Sequence, residues 1–219
     1  MKFVTNESAR TRASLHAKLT RLGFELELED ILTPAMAMML IIKEKKLRPH
    51  LLVHPDVRED FAGLDVSDPN CVVIGDMAEH FTFANLNEAF QVLVKPSSEP
   101  LPLYCLGKGK FYREDENLQL DVGSFAAALE FASERKALVC GKPDQSFFRA
   151  GLTLLGLEAS QVVMVGDDIV SDVGGAQAVG IRGVQVRTGK FRPSDENHPT
   201  VKPDLIIDNL KSLVDEILQ

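Results

Sequence analysis

The sequence predicts an α/β protein, a doubly wound parallel sheet with a smaller α/β domain inserted into it. Three observations carry that prediction. First, Val162-Val163-Met164-Val165 is an apolar, mostly β-branched run that ends in Gly166-Asp167-Asp168, with Asp172 four residues further on. Such a run reads as a parallel strand buried on both faces, with its carboxylates at the carboxyl end, where open α/β sheets bind their ligands. Second, strand-like and helix-like segments alternate from residue 137 to the end, which is the rhythm of a parallel sheet crossed by helices. Third, the middle of the chain, 56–136, departs from that rhythm and reads as the inserted domain. Segments 1–55 and 137–219 are then the two parts of the core.

Taken in order, Met1 to Val4 reads as a strand that begins with the chain itself, and Thr5-Asn6-Glu7-Ser8 as a capping turn into a helix. Leu15, Leu19 and Leu22 recur at helical spacing, and Gly23 supplies the stop. Thr33-Pro34 has the chemistry of a helix start, hydroxyl cap followed by proline, and Lys43 to Lys46 give that helix a basic last turn. His50 to His54 and Cys71 to Asp76 read as strands, and Phe83 to Val94 as a helix. Lys95 to Pro102 is a Pro- and Ser-rich loop. Leu103 to Leu106 and Lys110 to Leu120 read as strand-like pieces around Gly107 and Gly109. Val122 to Lys136 reads as a helix with Phe125, Leu129 and Ala132 on one face. The regular part follows: strands at 137–140, 162–165, 183–186 and 205–207, and helices at 146–155, 174–179 and 210–218.

A chain of 219 residues with 45% hydrophobic and 26% charged residues has the composition of a globular protein with ample core. The net charge of −8 argues against nucleic acid or an anionic membrane as partner. Cys71, Cys105 and Cys140 are odd in number and lie in strand-like runs, as buried free thiols of a reducing compartment do. The N-terminus lacks the apolar stretch and cleavage site of a signal peptide, and the longest apolar run, 35–42, is too short to span a bilayer. The expected compartment is the cytoplasm, with the nucleus second.

Candidate chemistry gathers at strand ends. Three acids as close as Asp167, Asp168 and Asp172 repel one another unless a cation sits among them, and a hard divalent ion such as magnesium is the usual partner; a solvated acidic turn is the plain alternative. Thr5-Asn6, a hydroxyl and an amide between a strand and a helix, would cradle a phosphate or merely cap the helix. Lys142, in the Gly141-Lys142-Pro143 turn, would neutralise a phosphoryl group or stand on the surface. Together, a hydroxyl, a cation and a metal-binding acid set at strand ends of one sheet form a phosphoryl-transfer site. Other features carry less. His50 and His54 on a strand are about 13 Å apart, too far to share an ion. Gly107-Lys108-Gly109 reads as a tight turn, and Cys140 as a buried strand residue.

These motifs resemble the haloacid dehalogenase superfamily of phosphatases. Thr5-Asn6 matches its second motif, Lys142 its third, and Gly166-Asp167-Asp168 with Asp172 its fourth. Phe3 to Ser8, Leu106 to Gly109, Leu120 to Gly123, Asp172 to Gln177 and Val186 to Glu196 extend the resemblance over essentially the whole chain. It implies a Rossmann-like core with an inserted cap, magnesium dependence, and often a homodimer. The implied activity is a phosphatase acting on phosphoramidates (phospholysine, phosphohistidine) and inorganic pyrophosphate, its partners small phosphorylated substrates or phosphorylated Lys and His. Thr5 and Asn6 would bind the transferring phosphate and Lys142 offset its charge. Asp167 would hold the metal directly, with Asp168 and Asp172 in support. The family's first motif, Asp-x-Asp-Gly with the nucleophile and the general acid/base, does not occur in the 219 residues. The resemblance puts its strand between the Phe3-Val4 strand and the Val162 to Val165 strand. Taken literally, the chain is therefore expected to be a truncated form, inactive and poorly stable, that binds metal, phosphate or a full-length partner. A receiver-like signalling domain also combines acids, Thr and Lys, but in the opposite order, and is set aside.

Overall fold

The computed structural model describes residues 1–114 and 116–217; Asp115 and Leu218, which fall in an expected strand-like piece and an expected helix, lie outside the described residues. The chain divides into two compact units, 1–141 and 142–219.

In the first unit, β1 (Phe3–Val4) pairs in parallel with β2 (Ile31–Leu32) through the crossover helix α1 (Arg12–Arg21). The helix starts later than the expected capping turn. Its cap is Thr11, whose hydroxyl accepts the Ser14 N–H at 3.0 Å, and the Asp60 carboxylate accepts the Arg12 N–H. Gly23, at φ +92°, stops it as expected, while Leu22 is left exposed. The helix α2 (Pro34–Lys45) has the predicted start: Thr33 Oγ1 accepts the Met36 N–H at 3.2 Å and Pro34 fills the first position.

Four strands follow in one parallel sheet, β3 (Pro49–Leu52), β4 (Cys71–Ile74), β5 (Leu103–Cys105) and β8 (Ala137–Val139), in the order β3-β4-β5-β8. Between them in sequence come α3 (Phe83–Leu93), the antiparallel hairpin β6 (Phe111–Glu114) and β7 (Asn117–Leu120), and α4 (Val122–Ser133). Strand β4 shows why the segment folds this way. Its side chains alternate between faces, Cys71 and Val73 joining Met38 and Ile42 of α2, Val72 and Ile74 joining Ala89 and Leu93 of α3. With both faces covered by helices, all four residues are fully buried. Apart from the β6-β7 hairpin, the strands of segment 56–136 do not form a separate sheet: β4 and β5 lie between β3 and β8, from either side of the expected insert. Helix α4 buries Val122, Ala126, Leu129 and Ser133 and leaves Ala132 on the outer face, one step round from the expected stripe. All three cysteines are buried, and burial pushes the Cys71 thiol up to about 12 and Cys105 to about 11.

The Gly107-Lys108-Gly109 turn meets the start of α4. The Gly123 N–H donates to the Gly109 carbonyl at 2.9 Å, and the cap Asp121 accepts the Val122 N–H at 2.6 Å. Half-burial, with Asp76 and Glu7 nearby, raises the Asp121 pKa above its ordinary 3.8 despite that bond. Between 3.8 and the raised value the folded chain keeps a proton that the unfolded chain has lost, so stability falls as pH rises through that window. Asp121→Asn keeps an acceptor for the cap and removes the charge. It should raise the melting temperature at pH 7, with the gain vanishing below pH 3.8; thermal melts across that range check this.

In the second unit, β9 (Val163–Gly166), β10 (Arg182–Val186) and β11 (Leu205–Ile207) form a parallel sheet in the order β11-β10-β9. Helix α5 (Gln145–Leu155) precedes it, capped by Asp144, whose Oδ1 accepts the Ser146 N–H, and ended by Gly156 at φ +65°. Strand β9 is only half-buried, with Val163 36% exposed, rather than buried on both faces. Among the described residues its one hydrogen-bonded neighbour is β10, just as that of β1 is β2. The expected helix at 174–179 begins earlier, as a π-helical turn over Ile169–Gly174 that runs into the short α6 (Gly175–Gln177). Helix α7 (Leu210–Ile217) closes the described chain. No described helix is long and apolar enough to cross a membrane.

Candidate active site

The strand β9 ends in Gly166, and the chain turns at Asp167 and Asp168 into the π-helical turn. Wider winding at that point brings Asp172 back beneath the strand end, the kind of local departure from α-helix that recurs at functional sites. A Cβ at Gly166 would run into the Asp172 carboxylate, so glycine is what allows this approach.

Each carboxylate has its own partners. Asp172 is buried; its Oδ2 accepts the Asp168 N–H at 3.1 Å and its Oδ1 lies 2.6 Å from the Lys142 Nζ. The two side chains are only 5% and 11% exposed, so the ion pair is largely shielded from water. Asp168 caps the turn, its Oδ1 accepting the N–H groups of Val170 (3.1 Å) and Ser171 (2.8 Å), and its Oδ2 lies 3.4 Å from the Lys190 Nζ. Burial works against the Asp168 charge, but the Ser171 N–H and the Lys190 ammonium outweigh it and hold the pKa below the ordinary value. Asp167 accepts the Lys190 N–H on Oδ2 at 2.8 Å. Among the described residues, no group of three or more Asp, Glu, His or Cys side chains forms a ready cation site. The oxygens of Asp168 and Asp172 that would complete one already accept backbone N–H groups and Lys142.

Lys142 owes its position to packing on the residue that follows it. A Cβ at Gly175 would stand 2.9 Å from the Pro143 backbone and clash with the Phe148 ring, so Gly175 lets α6 lie directly on Pro143.

Thr5 and Asn6 belong to the first unit. Thr5 is half-buried at the end of β1: its N–H donates to the Leu32 carbonyl and its Oγ1 accepts the Glu7 N–H at 3.1 Å. Asn6 is exposed, and a Cβ at Gly141 would stand 2.9 Å from its Oδ1 and 3.0 Å from the Leu106 carbonyl. Within the second unit, then, Lys142, Asp167, Asp168 and Asp172 do come together at one strand end. Gly189 and Lys190, quoted in the sequence only within the Val186 to Glu196 resemblance and given no site role there, join them. A glycine and a lysine just beyond a strand's carboxyl end were the available signal, the same one that marked Gly141 and Lys142.

Comparison with known proteins gives this arrangement a family context. The family model described as "Haloacid dehalogenase-like hydrolase" matches residues 1–67, and that described as "HAD-hyrolase-like" matches residues 139–213. The chain is 52% identical over 219 residues to the phospholysine phosphohistidine inorganic pyrophosphate phosphatase of Homo sapiens, covering 100% of this chain and 80% of that one. It is 40% identical to the haloacid dehalogenase-like hydrolase domain-containing protein 2 of Bos taurus, covering 100% of this chain and 83% of that one. Among solved structures, the p-nitrophenyl phosphatase from Archaeoglobus fulgidus matches with a TM-score of 0.89 at 25% identity, covering 99% of this chain and 85% of that one.

Proposed function

Because the chain belongs to the haloacid dehalogenase-like hydrolases, we propose that it is a magnesium-dependent phosphatase of phosphoramidates and inorganic pyrophosphate. The observation that carries this reading is the shielded Lys142–Asp172 pair behind Asp167 at the end of β9. It supplies a fixed positive charge and a carboxylate at the place where open α/β sheets bind ligands. A carboxylate ligand such as Asp167 is of the oxygen type that a hard divalent cation takes. Asp167 would hold it directly, while Asp168 and Asp172, committed to N–H groups and to Lys142, would keep the strand end in shape. When bound, magnesium would neutralise negative charge on the phosphoryl group.

The chain's own residues would do the rest. Lys142, held in one place by Asp172, would offset charge on the phosphoryl oxygens without having to reorganise as the reaction proceeds. The Thr5 hydroxyl and the Asn6 amide would bind the transferring phosphate. Phospholysine, phosphohistidine and pyrophosphate stand in the name of the human relative, and small phosphorylated compounds of that kind are the proposed substrates. Pairing of two copies and residence in the cytoplasm belong to the same proposal; light scattering in solution tests the first and imaging of the tagged chain the second.

One observation favours a second reading for these 219 residues by themselves. They contain no Asp-x-Asp pair to supply the nucleophile and the general acid/base. They would then bind magnesium and phosphate, or a partner chain that carries such a pair, without turnover. Phosphate release from phospholysine, phosphohistidine and pyrophosphate, with and without magnesium, separates the two readings. Magnesium-dependent release that disappears in Asp167→Asn supports the phosphatase reading for this chain. Folded protein that binds magnesium and releases no phosphate supports the second.

A further inference from the structure

The turn after β10 reaches across to both leading aspartates. It is closed by the Phe191 N–H, which donates to the Thr188 carbonyl at 3.1 Å, and it requires a left-handed residue, Gly189 at φ +55°. From it the Lys190 N–H donates to Asp167 Oδ2 at 2.8 Å, and the Lys190 Nζ lies 3.4 Å from Asp168 Oδ2. The turn is itself braced, since Arg192 Nη1 donates to the carbonyls of Lys190 (2.9 Å) and Phe191 (3.0 Å), and the Arg192 N–H donates to Asp195 Oδ2. Glycine is needed at 189 for a second reason as well: a Cβ there would be driven into the Asp167 carboxylate.

We propose that the Gly189–Lys190 turn is a positioning element that fixes the orientation in which Asp167 presents its carboxylate to a divalent cation. The physical argument is that a carboxylate at a strand end rotates freely unless something outside the strand holds one of its oxygens. Here the holder is a main-chain N–H whose own place is set by a closed, braced turn. Side-chain flexibility cannot relax it, and the missing Cβ leaves room for the carboxylate alone. Partners of this kind orient metal ligands and usually matter to affinity about tenfold or more. The inference rests on the proposed metal role of Asp167.

The test is magnesium binding by the 219-residue chain, read by calorimetry and by the magnesium-induced rise in melting temperature, so that it needs no turnover. Four proteins are compared: the unsubstituted chain, Asp167→Asn, Gly189→Ala and Gly156→Ala. Gly156 is the control for backbone strain, because it also has positive φ (+65°) but nothing lies within 4 Å of an added Cβ. The expected result is that Gly189→Ala weakens magnesium binding about tenfold or more, while Gly156→Ala loses some stability and binds as before. Gly189→Ala binding magnesium as tightly as Gly156→Ala, with Asp167→Asn impaired, overturns the positioning role. Asp167→Asn binding like the unsubstituted chain, or an unsubstituted chain indifferent to magnesium, overturns the metal reading beneath it. Should Gly189→Ala fail to fold, Gly189→Asn takes its place, since asparagine accepts positive φ at less strain and its Cβ meets the same carboxylate.

Discussion

Asp172→Ala is expected to destabilise the protein by about 3–5 kcal/mol, because it takes away the carboxylate that faces a shielded ammonium. Lys142 and Asp172 are 2.6 Å apart and almost wholly buried, so water cannot replace the lost carboxylate at Lys142 as it would on the surface. The same substitution strips the acceptor from the Asp168 N–H. Asp172→Asn separates the two losses: it can still accept from Asp168 but carries no charge. In urea denaturation, Asp172→Asn should fall between the native chain and Asp172→Ala, whose melting temperature should drop by about 10 °C. An Asp172→Ala protein as stable as the native chain would mean that Lys142 finds water or another carboxylate without strain.

Leu106→Ala is expected to cost about 2–5 kcal/mol in the first unit. Leu106 is fully buried just after β5, its N–H bonded to the Ile74 carbonyl at 2.8 Å and its side chain packed among Val53, Val73, Tyr104 and Cys140. Gly75 tells how well that cavity is filled. A Cβ there would stand 3.0 Å from Leu106 Cδ1 and 3.3 Å from Val53 Cγ1. Gly75→Ala should therefore destabilise on its own, yet cost less in the Leu106→Ala background, where the methyl enters the vacated space. A double-mutant cycle by denaturation should show a coupling of about 0.5 kcal/mol or more; additive losses would mean that the cavity collapses around Gly75 instead.

How much of this was legible beforehand depends on the residue. Thr33-Pro34 announced a helix start and made one, because hydroxyl cap and proline act over three or four neighbouring residues. The strand expected over 71–76 forms over Cys71–Ile74, and the stop at Gly23 was equally local. The helix expected at 174–179 is displaced, because the chain is already wound from Ile169 by a turn that the Asp168 cap and Asp172 hold. The alternation of 71 to 74 between two faces was local, but which helices cover those faces was not, and neither was the pairing of 137–139 with 103–105.

The sequence by itself determined which residue types stand at the strand ends: a lysine after one strand, a hydroxyl and an amide after another, clustered carboxylates after a third, because residue type and strand-end position are written along the chain. Only the tertiary structure decided which oxygen each donor takes. Lys142 reaches Asp172 from 30 residues away, and Lys190 reaches Asp167 from 23 residues away. Contacts of that range depend on strand order, on a wide helical turn and on glycines that let backbone and carboxylate share one place. Local propensity has no hold on any of these.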